Sequence, residues 1–345
     1  MRSDMGPVVD FHAHFLPRGA VEAYASGAAW FGTTIEKNDR GWPVLVTANA
    51  RRPMGSTAYW DSITERTAKM SAVGVDVQAL SVLPNLYRYG LDAADGERAS
   101  IEINDEIAEA IASAPGRFIG LGTLPLQDTD ASLREIGRIM AVPGFVGIAV
   151  GTHVNGENWD SPRLLPVLEA IRDLNGIVFM HPAGHRIQGT MPGYHLANLI
   201  GNPYETTVAI GSLVFSGALD RVDGIKLIFA HGGGFGALNV GRFDHGYSVR
   251  TDSQAHARNM PSEYLRTLYF DCLVHGDRTL RFLLDVVGAD HVVLGTDYPA
   301  DMGLARPQEW LNGLSLVTDA ERAAILSGNA HSLLTGVGVD LGIRQ

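Results

Sequence analysis

The sequence predicts an α/β fold, a parallel (β/α)8 or TIM barrel with a small inserted β-subdomain after the first strand. Three observations carry this expectation. Eight short apolar runs, rich in β-branched residues, recur along 345 residues with longer helix-like segments between them. The runs are nearly continuous in their apolar character, as strands buried on both faces are. No G-x-G-x-x-G follows the first run, which weakens the rival reading of an open doubly wound sheet.

The first run is VVDFHAH, 8–14, and the second VDVQALSVLP, 75–84. RFIGLGTLPL (117–126) and FVGIAVGTHV (145–154) follow, then GIVFMHPA (176–183) and IKLIFAHGG (225–233). TLYFDCLV (267–274) and HVVLGTDYP (291–299) complete the set. Of the segments between, 97–115 repeats isoleucine at 103, 107 and 111, the spacing of one helix face. The segment 161–176 opens on Ser-Pro and closes on Asn-Gly, both helix-boundary signals. About 45 residues separate the first strand from a helix near 61–73, too many for an unstructured loop in a compact domain. Residues 1–345 therefore read as a single domain, with an insertion at about 16–58 covering one mouth of the barrel.

Composition narrows the function. Lys and Arg number 27 against 38 Asp and Glu, a net charge of −11, and the basic residues are scattered. That balance argues against nucleic acid or an anionic membrane surface as partner. The lone cysteine, Cys272, can form neither an intrachain disulfide nor a thiolate metal cluster. The first residues lack a signal-peptide pattern, and no apolar stretch approaches the roughly 20 residues that span a bilayer. A cytoplasmic enzyme or binding protein is expected.

The informative residues are polar ones embedded in apolar runs. His12 and His14 share a face at the end of the first strand, because alternate strand residues do. His181, His231 and Asp297 end the fifth, sixth and eighth. In a barrel these ends form the catalytic rim. Three imidazoles and a carboxylate suit zinc or a similar divalent ion. His12, His14, His181 and Asp297 are assigned as ligands and His231 as general base; Asp297 could instead stand off the metal and hold its water. The fourth run contains no lysine that could be carbamylated to bridge two ions, so one metal is expected, zinc first and manganese second.

The constellation resembles the decarboxylase branch of the amidohydrolase superfamily, and within it the α-amino-β-carboxymuconate-ε-semialdehyde decarboxylase family. DFHAHFLP, NPYETTVAI, FAHGGG, VGRFDHG and VVLGTDYP follow that family's order and spacing over nearly the whole chain. The resemblance implies the same four metal ligands, with His231 as acid/base. It also implies two arginines that hold substrate carboxylates: Arg52, in RRPMGSTAYWD, and Arg242, reaching across a homodimer interface. A planar guanidinium suits that task. One departure stands out: the family follows its fifth-strand histidine with Pro-Trp-Asp, whereas here His181 precedes Pro182, Ala183 and Gly184. His185 and Arg186 come next and are available to supply polar contacts; His153 reads as a loop histidine.

The leading expectation is non-oxidative decarboxylation of a small unsaturated or aromatic carboxylic acid, using a metal-bound water or hydroxide and His231. Either hydroxide adds to a conjugated substrate, or the substrate chelates the metal and Asp297 protonates its carbon. Hydrolysis of a small amide, lactone or ester is the alternative, and a ligand-binding or metal-storing barrel the non-enzymatic one.

Overall fold

Along β1 (Val9–Phe15), Val9, Phe11 and Ala13 alternate with Asp10, His12 and His14, and all six are buried. A strand with no solvent face needs cover on both sides, which a parallel sheet flanked by helices provides. The structure, a computed structural model, describes residues 6–39, 41–47 and 50–339. After β1 come three short antiparallel strands in a sheet of their own: β2 (Thr34–Lys37), β3 (Pro43–Thr47) and β4 (Ala50–Pro53). The main sheet resumes with β5 (Val77–Val82), β6 (Phe118–Gly122), β7 (Phe145–Gly151) and β8 (Ile177–His181). It ends with β9 (Lys226–Phe229), β10 (Tyr269–Asp271) and β11 (Val292–Val293). Among the described residues the order is β1, then β5 through β11, and all pairings are parallel.

Each of the eight expected runs supplies one strand of this sheet, which curls. The Phe11 N–H donates to the Leu294 carbonyl at 2.9 Å, and the Asp297 N–H to the His12 carbonyl at 2.8 Å. The chain beyond β11 thus lies along β1, bringing sequence positions almost 290 apart into contact. Between Asp10 and Ala13 the β1–β5 register shifts, a local irregularity of the kind that re-aims side chains beside active sites.

The helix expected over 97–115 forms as Ala93–Ser113, started by Asp92, whose carboxylate accepts the Asp95 N–H at 2.9 Å. The one expected over 161–176 is shorter, Leu165–Asp173, and stops where Asn175 takes a φ of 59°. The sixth strand also ends early, at Phe229, because His231, Gly232, Gly233 and Gly234 all have positive φ. Residues 16–58 are not all β: Arg18–Ser26 is a helix that ends on Gly27 at φ 73°. Among the described residues no helix is long and apolar enough to cross a membrane.

Strand β7 approaches β8 so closely that a side chain at Gly147 has no room. A Cβ there would lie 1.9 Å from the Ile177 carbonyl oxygen, its partner across the ladder. Gly147→Ala is expected to lower stability by about 3 kcal/mol, the upper range for overpacking a core. Gly137→Ala, on an exposed helical face with open space around the new Cβ, should raise it by roughly 0.5–1 kcal/mol. Urea or thermal unfolding of both variants checks the contrast.

Candidate metal centre and active-site cavity

The strand ends bring His12, His14, His181 and Asp297 together, with one ligand atom from each lying within 4.8 Å of the other three. All four residues are buried. The Nε2 atoms of His12 and His14 are 3.3 Å apart. Asp297 Oδ1 stands 2.9 Å from His14 Nε2 and 3.3 Å from His12 Nε2.

The far side of each imidazole fixes its orientation. His12 Nδ1 donates to Asp271 Oδ2 at 2.7 Å, which directs its Nε2 toward the cluster. His181 Nδ1 donates to the Pro182 carbonyl at 2.8 Å. That leaves its Nε2 buried and, among the described residues, without a hydrogen-bond partner, a lone pair facing the other donors. A buried polar atom left unsatisfied asks for an explanation, and a cation at the convergence point supplies one. The residues present therefore fit a single divalent ion held by three imidazoles and a carboxylate.

Electrostatics prepare the site. Burial favours the neutral acid at Asp297, yet His12, His14 and His231 around it hold its carboxyl well below the usual range. Burial, reinforced by His231 and His14, pushes His181 well below the ordinary imidazole value, so it offers a neutral ring at pH 7. His12 behaves oppositely. Burial would lower it, but the Asp297 and Asp271 carboxylates outweigh burial and push it up to about 10.

Asp271 is the site residue that sequence reasoning missed. Its two oxygens accept not only His12 Nδ1–H but the backbone N–H groups of His231, Gly232 and Leu273, at 2.9 to 3.0 Å. The signal was present: a lone carboxylate inside TLYFDCLV is as anomalous as a histidine inside FMHP. Asp10 is a similar case, buried and accepting from Gln78, the Thr296 hydroxyl and the His12 N–H.

His231 stands at the edge of this group, partly exposed, with Nε2 3.8 Å from Asp297 Oδ2. Its φ of 56° and the 58° of Asp297 are conformations that non-glycine residues rarely take. His14, His181, His231 and Asp297 lie in the wall of a cavity of about 230 Å³, across which Leu45, Met54 and Tyr59 face them. Ala183 and His185 also line it. Arg186 does not: it is held by Glu205, Nε to Oε2 at 2.8 Å, and belongs to the framework. His153 accepts the Gly156 N–H. Arg52 sits opposite Leu45 in the β3–β4 ladder, and its side chain falls outside the described residues. Arg242 is exposed on the helix Val240–Val249 and is not in the cavity wall of this chain.

Such donors at the C-terminal rim of a parallel α/β sheet point to a class, the α/β enzymes whose strand ends can hold a divalent ion. Within it, this chain belongs to the amidohydrolase family, whose profile matches residues 9–335. It is 34% identical over 330 residues to a 2-amino-3-carboxymuconate-6-semialdehyde decarboxylase from Dictyostelium discoideum, covering 94% of this chain and 91% of that one. Among solved structures, it overlays the apo form of Metarhizium anisopliae IDCase with a TM-score of 0.83 at 22% identity, covering 97% and 99% of the two chains. A dihydroxybenzoic acid decarboxylase from Polaromonas sp. JS666, solved with manganese and 2-nitroresorcinol, gives 0.80 at 23% identity, covering 96% and 97%.

Two measurements probe the centre. Asp271→Asn keeps the shape but removes the charge behind His12 and turns one of two accepting oxygens into an NH2 group that must oppose N–H donors, and it should weaken zinc or manganese binding about 10- to 100-fold in chelator competition. Metal uptake should also depend on pH. Below about 10 the metal-free His12 keeps the proton that its Nε2 must lose to bind a cation. Binding therefore expels a proton, and apparent affinity should rise about tenfold per unit between pH 6.5 and 8.5.

Proposed function

We propose that this chain is a non-oxidative decarboxylase of a small unsaturated or aromatic carboxylic acid, dependent on one divalent ion. The observation that carries the reading is the convergence of His12, His14, His181 and Asp297 beneath a cavity edged by His231. The full-length likeness to a decarboxylase supports it. The donor set favours zinc, with manganese as the alternative. When bound, the ion supplies Lewis acidity, polarising a substrate oxygen and making water acidic enough to ionise near neutral pH.

The protein's own groups do the rest. Asp271 and the Pro182 carbonyl orient His12 and His181. Loss of carbon dioxide leaves an electron pair on the carbon that carried it, and that carbon must receive a proton. His231 and Asp297 are the proton-exchanging groups assigned to this step, His231 as acid/base. Arg52 and Arg242 hold substrate carboxylates, the latter from the second copy in a homodimer. The chain acts in the cytoplasm as one domain over 1–345, a (β/α)8 barrel whose insert at about 16–58 covers the mouth.

The metal-loaded protein should release one carbon dioxide per substrate from a panel of hydroxybenzoates and unsaturated dicarboxylates. His231→Ala, with its metal retained, should lower turnover at least about 100-fold. A protein that releases none, yet generates a new acid from a lactone, ester or amide, would be a hydrolase instead.

A further inference from the structure

Among the described residues Arg66 is the one lysine or arginine that is buried, and no carboxylate bonds to it directly. Burial lowers its pKa to about 10, so it stays charged near neutral pH. A buried cation is costly unless its donors are used. Where those donors go is therefore informative.

Arg66 projects from the helix Ile63–Ala72, whose start Ser62 caps. Its Nη1 donates to the His14 carbonyl at 2.7 Å. Its guanidinium lies over the Tyr298 ring, 4.9 Å from the centroid, a cation–π contact. The Tyr298 carbonyl in turn accepts the His14 N–H at 2.6 Å. His14 is thus gripped on both sides of its backbone, and Tyr298 is the residue after Asp297. The third contact runs through Gln78 of β5. Arg66 Nε donates to Gln78 Oε1 at 3.0 Å, and Gln78 Nε2 donates to Asp10 Oδ2 at 3.0 Å. One amide therefore joins the buried cation to the carboxylate that also accepts the Thr296 N–H and hydroxyl. All three contacts meet the two segments that carry His12, His14 and Asp297. The β1–β5 register is irregular between Asp10 and Ala13, so the ladder alone holds this end of β1 less firmly.

We propose that Arg66 is a positioning residue of the metal centre, clamping the end of β1 to the Asp297 turn so that three of the four candidate ligands keep their spacing. The inference rests on the metal-dependent reading of the site and deepens it. Arginine suits the task because its planar fork bonds a carbonyl and an amide while its face stacks on a ring. A lysine ammonium is a point charge without that geometry.

Metal binding tests the role without relying on turnover. Arg66→Met should weaken zinc at least about tenfold in chelator competition, the loss typical of removing a group that orients ligands. Loaded with cobalt, the variant should show visible absorption bands displaced from those of wild type, because the bands report ligand geometry. Arg66→Lys should restore part of the affinity, losing about threefold. Gly147→Ala, destabilised away from these donors, should bind zinc within about twofold of wild type, as independent sites do. Zinc binding by Arg66→Met as tight as wild type, or an equal loss in Gly147→Ala, overturns the role while the metal centre stands. Should Arg66→Met not fold, Arg66→Lys decides: wild-type affinity with an unchanged cobalt spectrum overturns the role. Wild type that binds neither zinc nor manganese overturns the metal centre as well.

Discussion

The Asp271 carboxylate holds the centre together. One of its oxygens takes the Nδ1 proton of His12, and between them the two oxygens take three backbone N–H groups from the loops after β9 and β10. A buried carboxylate without such donors would favour its neutral form; here His12 and the surrounding N–H groups keep it charged. In return it sets the ring of His12 and anchors the turn that carries His231. One side chain thus ties a metal-ligand candidate to an acid/base candidate on a different strand, and neither can be repositioned without disturbing the other.

The other supports are of a different kind. His181 is oriented by a neutral carbonyl, that of Pro182, which fixes the tautomer while adding no charge. His14 faces the Ser81 hydroxyl at 3.4 Å and Asp297 more closely. The three histidines therefore experience graded fields: a full carboxylate behind one ring, weaker dipoles behind the others. The metal-free centre gathers its proton on His12 and leaves His181 neutral, in line with the opposite directions of their pKa shifts.

Much of this was legible in the sequence, for a definite physical reason. A polar residue inside an apolar strand costs free energy unless it is used, so His12, His14, His181, His231 and Asp297 stood out against their runs, and the structure brings them together. Asp271 obeyed the same rule but lacked a histidine beside it to draw notice. Arg186 misled for the opposite reason: adjacency to His181 suggested the cavity, whereas Glu205, nineteen residues on, draws it into the framework. The helix Arg18–Ser26 was obscured by the strand-like character of the rest of its insertion.

The meeting of the first and last strands has a consequence for how the protein comes into being. Asp10 accepts from Thr296, and His12 from Asp297, across nearly the whole chain. A nascent polypeptide emerges from its amino end, so three of the four candidate ligands, His12, His14 and His181, are made before the fourth, Asp297. Contacts so distant in sequence close slowly. The complete set of donors is thus among the last features to assemble, and possession of it marks a molecule that has finished folding.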